Sequence, residues 1–123
     1  MGLDFRKQTG NDGEKRAASW LIKNGYSILE QNFRSGQGEI DIIALKEDFV
    51  VFVEVKTLPQ GNPELLSGVL NFRKQKRIIK TAKRFLTIHR QYSNSYIRFD
   101  VIVVDMPGFP EVYHIENAFA ELL

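Results

Sequence analysis

Asp41, Glu54 and Lys56 are the residues of this sequence whose types and spacing best support chemistry. Valine, isoleucine or phenylalanine flanks each of them, so two carboxylates are expected where charges repel and burial of charge is costly. A divalent cation would offset both effects, because Mg²⁺ takes one or two carboxylates with carbonyl oxygens and retained waters. The backbone carbonyl of Val55 can complete such a ligand set. Lys56 can orient or deprotonate an attacking water, or stabilise negative charge on a phosphate.

A β-hairpin must position these groups, because residues 39–45 and 49–55 are apolar segments separated by a polar turn. Antiparallel pairing about a turn centred between residues 47 and 48 sets Asp41 opposite Glu54, with Cβ atoms about 5 Å apart on one face. That face is also predicted to carry Glu39, Lys56, Ile43, Leu45, Val50 and Phe52, and the other face Ile40, Ile42, Val51, Val53 and Val55.

The register decides whether this site exists, since a three-residue turn would slip the pairing by one residue and separate the faces. The competing interpretation is an exposed hairpin in which Glu39 forms an ion pair with Lys56 while Asp41 points into water. The apolar neighbours of every charge favour the metal site.

The remaining pattern predicts an α/β fold, with an α-β-β-β-α-β core and a mixed sheet flanked by helices in one domain, residues 1–123. The strand after the second helix should run parallel to the hairpin, because a helical crossover separates the two. In chain order we predict a helix at 9–24 with Asn11 or Asp12 as N-cap, strands at 26–33, 39–45 and 49–55, a long basic helix capped by Asn71, strands at 97–104 and 111–115, and a helical turn at 117–122.

Glu14 and Gln75 are polar residues on the apolar sides of the two predicted helices. Glu14 either reaches water near the helix N-terminus or joins a polar site at the edge of the core. Gln75 is either a buried polar contact or a residue that reaches the site.

Asp100 and the two histidines are interpreted as structural or ordinary residues. Asp100 is expected to pair with Arg98 or a helix cap rather than to take part in catalysis. His89 and His114 have neither metal-ligand spacing nor a neighbouring catalytic triad.

Composition excludes several classes of protein. The chain has no cysteine, which excludes disulfides and thiolate metal sites and makes the cytoplasm the expected compartment. No apolar run approaches the ~18 residues of a membrane span, and the N-terminus lacks the apolar block of a signal peptide, so no membrane association is expected.

The charges are unevenly distributed, although the formal net charge is +2. Residues 65–99 hold nine basic residues and no acidic one. Such a block suits the phosphate backbone of a nucleic acid. A solvated helix face is the alternative.

Asp41, followed thirteen residues later by Glu54-Val55-Lys56, resembles the PD-(D/E)XK nuclease signature, whose restriction-endonuclease-like fold has the same α-β-β-β-α-β order. More narrowly, the chain resembles the YraN-like family of small bacterial proteins, similar in fold to archaeal Holliday-junction resolvases. Ile40 replaces the proline of the strict motif, and Leu58 stands where many YraN-like sequences have arginine. The matching segments are Gly13-Glu14, Asn32-Phe33-Arg34, residues 38–43 and 51–56, Lys74-Gln75 and residues 98–101.

This resemblance implies metal ligation by Asp41 and Glu54, a catalytic role for Lys56 and an auxiliary acid at Glu14. We therefore predict an endonuclease that depends on Mg²⁺ or Mn²⁺ and acts on DNA, including branched or damaged DNA. The predicted nucleic-acid contacts are Arg34, Arg73, Lys74, Gln75, Lys76, Lys80 and Lys83.

Two other functions compete with this prediction. The chain could be a nucleic-acid-binding module that keeps the fold without turnover. It could also be a structural partner that uses the basic helix or the strand near residues 111–115 for dimerisation. A symmetric homodimer would suit a resolvase-like enzyme, since two strands must be cut.

Overall fold

The computed structural model describes residues 5–36, 38–61 and 70–121, with side chains from residue 11 onward. The element order and the flanking helices confirm the predicted fold class. In chain order the elements are α1 (Phe5–Lys23), β1 (Ser27–Ser35), β2 (Gly38–Lys46), β3 (Phe49–Thr57), α2 (Phe72–Ile88), a 3₁₀ turn (Arg90–Tyr92), β4 (Tyr96–Val104) and β5 (Val112–Phe119).

A single sheet of five strands, in the order β1-β2-β3-β4-β5, forms the centre of the described structure. Neighbouring strands are antiparallel except β3 and β4, which are parallel. Parallel strands cannot be joined by a tight turn, so the chain crosses between them through α2. The predicted crossover is therefore confirmed.

The β2–β3 hairpin has the predicted register. Its ladder runs from Ile42 opposite Val53 to Lys46 opposite Phe49, around a two-residue turn. Glu47 has a φ of 55°, the left-handed conformation that such short turns require. The ladder ends at the first of these pairs, so the predicted site lies just beyond it.

Both faces of the sheet are buried, one beneath α1 and the other beneath α2. Ile40 packs on the α2 side with Ile43, and not on the face predicted for it with Ile42 and Val51, because β2 leaves its ladder with β3 beyond Ile42. The α1-side cluster includes Ala17, Leu21, Ile42, Ala44, Val51 and Val53, and the α2-side cluster includes Ile43, Val50, Phe52, Ile78 and Phe85.

α2 begins where its sequence predicts. The side chain of Asn71 accepts a hydrogen bond from the backbone N–H of Lys74 at 3.0 Å, which satisfies one of the free donors at the helix N-terminus. Its buried residues follow the helical repeat and face the sheet, which leaves most of its basic residues in solvent. They are Ile78, Thr81, Ala82 and Phe85.

Two predictions about the chain ends were wrong. α1 begins at Phe5, so Asn11 and Asp12 both lie inside the helix and neither caps it. Asp12 pairs with Arg16 one turn later, at 3.6 Å. Residues 117–119 belong to β5, because the strand continues through an irregularity at Asn117. Residue 122 lies outside the described residues. In the part of the chain that is described, no helix has the length and apolarity to cross a bilayer.

Candidate active site

The predicted site residues meet in a pocket of about 370 Å³ beyond the end of the β2–β3 ladder. Four elements supply its charged side chains, so the pocket exists only when both helices pack on the sheet. They are Glu14 from α1, Glu39 and Asp41 from β2, Glu54 and Lys56 from β3, and Lys74 and Arg77 from α2.

Asp41 is tied to β3 through its side chain. The backbone N–H of Val55 donates to Asp41 Oδ2 at 2.8 Å, across the gap that the ladder no longer bridges. Burial, reinforced by the charge of Glu54, raises the pKa of Asp41 to about 8 in spite of this hydrogen bond. Ionisation of Asp41 is therefore unfavourable in this pocket, and the carboxyl group keeps its proton at neutral pH.

Glu54 is buried and faces two lysines. Its Oε1 lies 3.4 Å from Lys56 Nζ and 3.2 Å from Lys74 Nζ. Burial opposes the charge on Lys56, but contacts with Lys74 and with Glu54 outweigh it and raise the Lys56 pKa. Burial and the neighbouring Lys56 lower the pKa of Lys74. Two cationic groups thus share one carboxylate oxygen.

Glu14 joins the pocket from the first helix. Burial raises its pKa, hydrogen bonds to Asp41 and Asn32 act in the opposite direction, and the charge of Glu39 adds to the rise. Of the two interpretations of Glu14, the polar site at the edge of the core is the one observed.

The exposed-hairpin alternative is not observed. Lys56 contacts Glu54 rather than Glu39, and Glu39 instead lies 3.5 Å from Arg34 on β1. Asp41 points into the pocket and not into open water. The β2–β3 ladder ends at Ile42, whereas β2 stays paired with β1 as far as Glu39, which lies opposite Arg34.

The oxygen donors near Asp41 suit a partly hydrated Mg²⁺ ion but do not form a complete cage of side chains. Across the described residues, no three Asp, Glu, His or Cys side chains are arranged to enclose one metal ion. Mg²⁺ does not need such a cage, because it keeps several waters and binds through one or two carboxylates. Asp41 and Glu54, with Val55 on the pocket wall, form a set of that kind.

Known proteins are similar in sequence to this chain across the elements that build the pocket. The model of "Uncharacterised protein family UPF0102" matches residues 13–104, from α1 to the end of β4. The chain belongs to the UPF0102 family. A UPF0102 protein of Treponema denticola is 46% identical over 123 residues, covering 91% of this chain and 95% of the relative. One from Treponema pallidum (strain Nichols) is 45% identical, with coverage of 95% and 96%, and one from Clostridium perfringens (strain 13) is 43% identical, with coverage of 96% and 90%.

The predicted nucleic-acid contacts of this UPF0102 chain lie in several places. Lys74 lies in the pocket, while Gln75 donates to the backbone carbonyl of Leu70 at 2.9 Å and does not line the pocket. Arg34 is exposed on β1. The others are exposed on α2: Arg73, Lys76, Lys80 and Lys83.

A second groove, of about 510 Å³, continues from the pocket between α2 and the β1–β2 turn. It shares Gly38 and Arg77 with the pocket and adds Lys80 and Arg84. The described residues that line it include no acid, so this UPF0102 fold joins a basic channel to an acidic centre.

Sequence reasoning assigned Lys74 to DNA contacts and missed its ion pair with Glu54. A signal was available, because Lys74 precedes Ile78 and Ala82 by four and eight residues and so lies on the buried side of α2. Arg77, which lines both grooves, was missed as well.

Asp100 is fully buried at the centre of a separate cluster of polar side chains. Arg98 donates twice to its carboxylate, from Nε to Oδ1 at 2.9 Å and from Nη2 to Oδ2 at 2.8 Å. His114 Nε2 lies 2.6 Å from Oδ2, and the Asn117 backbone N–H donates to Oδ1 at 2.9 Å. Burial opposes ionisation, but these contacts outweigh it and lower the Asp100 pKa. The predicted pairing with Arg98 is observed, whereas the His114 contact was not predicted.

Gly38 allows β2 to pass close to α2 at the pocket edge. A Cβ at this position would lie 1.8 Å from Thr81 Oγ1 and 3.4 Å from the Arg77 carbonyl oxygen. We expect Gly38→Ala to lower the free energy of unfolding by about 1–3 kcal/mol, measured by urea denaturation. In a double-mutant cycle, Thr81→Ala should recover part of this loss. Strictly additive losses would contradict the contact.

Proposed function

We propose that this protein is a Mg²⁺-dependent endonuclease of the PD-(D/E)XK type that hydrolyses phosphodiester bonds in DNA. The observation that supports it is the convergence of Asp41 and Glu54, from two strands, with Lys56 in one pocket. The pKa of Asp41, raised to about 8 by burial and by Glu54, supports it further, because a bound cation would offset the cost of ionising this carboxyl group.

Each residue has a role in this proposal. Asp41 and Glu54 would hold the ion, with the Val55 carbonyl as a third oxygen, and Glu14 lines the same pocket as an auxiliary acid. A bound Mg²⁺ would supply an activated water and neutralise phosphate charge. Lys56, which is ion-paired and charged, stabilises the negative charge that develops on the phosphate.

The basic groove is the reason for proposing a nucleic acid as the substrate. Phosphates bound by Arg77, Lys80 and Arg84 would lead the backbone into the pocket through the edge at Gly38. Neutralisation of several phosphates by these side chains makes binding strongly dependent on salt.

A cleavage assay tests the proposal. Purified protein is incubated with single-stranded, duplex, flapped and four-way DNA in Mg²⁺, in Mn²⁺ and in EDTA. We expect cleavage with either ion and a loss of about a hundredfold or more in Asp41→Asn, Glu54→Gln and Lys56→Met, since even changes beyond the direct ligands of a metal cost about 10–100-fold. Glu111→Gln is the control, because that carboxylate is exposed and pairs with Arg16 outside the pocket.

Two outcomes would refute the assigned mechanism. Activity that survives in both Asp41→Asn and Glu54→Gln would show that a contaminant or another site cuts the DNA. Activity in EDTA equal to that in Mg²⁺ would exclude a role for the ion.

A nucleic-acid-binding module without turnover is the second candidate function. It is favoured by the basic groove of Arg77, Lys80 and Arg84, which can contact phosphates whether or not the pocket holds an ion. Calorimetric titration with Mg²⁺ separates the two candidates. Heat of binding in the unaltered protein and none in Asp41→Asn supports the nuclease, whereas DNA binding with no metal binding in either protein supports the silent module.

A further inference from the structure

Phe72 is an aromatic side chain left in solvent beside the proposed active site. It is 57% exposed, while Phe52, Phe85 and Phe99 are buried. Phe72, Ile79 and Leu86 recur every seven residues and so lie on one side of α2. Ile79 and Leu86 pack against the α2-side core, but Phe72 lies one turn or more beyond that contact.

A recess of about 290 Å³ lies against the Phe72 ring, between α2 and the end of β5. This volume is near the lower end of the ~300–1,000 Å³ range of small-molecule pockets, which suits a single ring system rather than an extended ligand. Its walls combine apolar surface from Phe72 and Ile79 with the polar side chain of Gln75, whose amide is anchored to the Leu70 carbonyl.

The charge around this recess selects a negatively charged ligand. Lys76, Lys80 and Lys83 line it, and Lys76 Nζ lies 5.5 Å from the centre of the Phe72 ring. Glu121 also lines it but is paired with Lys83. A flat apolar group attached to phosphates satisfies both the ring and the lysines.

The recess is also close to the proposed site of cleavage. Lys74, two residues after Phe72 on the same helix, lies 3.2 Å from Glu54. Side chains two positions apart on a helix point to nearly opposite sides, so the recess and the pocket flank the first turn of α2, a helix about 10–12 Å across with its side chains. A strand that crosses the N-terminal end of α2 can therefore place one phosphate at the pocket and a base a few nucleotides away at Phe72.

We propose that Phe72 is a stacking platform for an unpaired nucleobase a few nucleotides from the scissile phosphate, so that the substrate is DNA with unpaired nucleotides. A base inside a duplex has its faces covered by its neighbours and cannot stack on a side chain unless it leaves the helix. This inference rests on the proposed function for the position of the scissile phosphate. The stacking itself is a binding property and can be measured without cleavage.

Fluorescence anisotropy in EDTA tests the inference with a single-stranded oligonucleotide and a blunt duplex of equal length. We expect Phe72→Ala to weaken single-strand binding about tenfold, the usual scale of one base–aromatic stack, and duplex binding less than about twofold. Phe72→Trp should retain single-strand affinity. The control is Ile88→Ala, another exposed apolar residue of α2, 52% exposed, at the far end of the helix.

Salt dependence gives a second readout that a loss of structure would not reproduce. Phe72 carries no charge, so Phe72→Ala should lower single-strand affinity at every salt concentration without changing the slope of log affinity against log salt. Lys76→Ala should reduce that slope by about one phosphate contact.

Three outcomes would overturn the inference. They are no binding of single-stranded DNA by the unaltered protein at low salt, an equal loss on both DNAs in Phe72→Ala, and a loss no larger than that of Ile88→Ala. Because these measurements contain no metal, they are independent of cleavage. A failed stack with intact Mg²⁺-dependent cleavage would leave the proposed function standing, and the converse holds as well.

Discussion

Asp41→Asn is expected to make the protein more stable at pH 8 in metal-free solution, by several kcal/mol, or a rise in Tm of roughly 10 °C or more. Asparagine keeps an oxygen that can accept from the Val55 N–H, and it removes a charge that burial and Glu54 disfavour. Thermal melts in EDTA from about pH 3 to about pH 9 measure the effect, a range that spans both pKa values of the carboxyl group.

The pH dependence follows from the two states of Asp41. In the unfolded chain its pKa is near the ordinary 3.8, and in the folded protein burial and Glu54 raise it to about 8. Between these values the folded protein retains a proton that the unfolded chain has lost. A rise in pH therefore favours the unfolded state and lowers the free energy of unfolding. The advantage of the Asp41→Asn variant over the unaltered protein should be absent near pH 4, grow with pH and level off above about pH 8. Saturating Mg²⁺ should stabilise the unaltered protein and leave Asp41→Asn unchanged.

Asp105→Asn is the matched control with the opposite sign. Contact with Arg16, at 2.9 Å, lowers the Asp105 pKa, so its ionised form favours the folded state above the ordinary pKa. That variant should lose stability at neutral pH and match the unaltered protein in acid. A destabilised Asp41→Asn at pH 8, or an advantage that does not grow with pH, would contradict the assigned environment of Asp41.

Asp100→Ala should have the largest destabilising effect among these substitutions, with a loss of about 3–5 kcal/mol in the free energy of unfolding. The change leaves Arg98, which is 16% exposed, without the carboxylate to which it donates two hydrogen bonds. It also leaves the Asn117 N–H without an acceptor. Urea denaturation at neutral pH measures the loss. Because domains of this size are stable by about 5–15 kcal/mol, the variant can unfold outright.

Two further variants keep this prediction testable. Asp100→Asn retains an acceptor of the same shape and should lose less than Asp100→Ala. Glu116→Ala removes a carboxylate that is 61% exposed and 4.0 Å from Arg98, so it should change stability by less than about 1 kcal/mol. A loss below about 1 kcal/mol in Asp100→Ala would show that the cluster does not hold β4 and β5 together.

The hairpin and the acidic pair were predictable because their information is local. A short polar turn fixes the pairing of the residues on either side, and Asp41 and Glu54 are the next residues beyond the ladder that it sets. Alternating apolar residues on both strands predict burial on both faces, which the two helices provide. The parallel crossover followed from the length of the connection.

The unpredicted features depend on packing between distant segments. Lys74 reaches Glu54 because α2 docks in one orientation, and His114 reaches Asp100 because β5 pairs with β4 in one register. The helical turn expected at residues 117–122 gave way to strand pairing, since the Asn117 N–H satisfies a buried carboxylate that lies seventeen residues earlier. No local sequence pattern predicts the contact between Asn117 and Asp100.

The hydrogen bond from the Val55 N–H to Asp41 holds β2 and β3 together at the open end of the hairpin. Past Ile42 the backbone ladder no longer joins the two strands, and this bond spans the gap through one carboxylate oxygen. The side chain that joins the strands is therefore also the one proposed to bind the ion. An ion held by Asp41 and Glu54 would join the strands a second time, so local opening of this end of the hairpin should become rarer when the ion is bound.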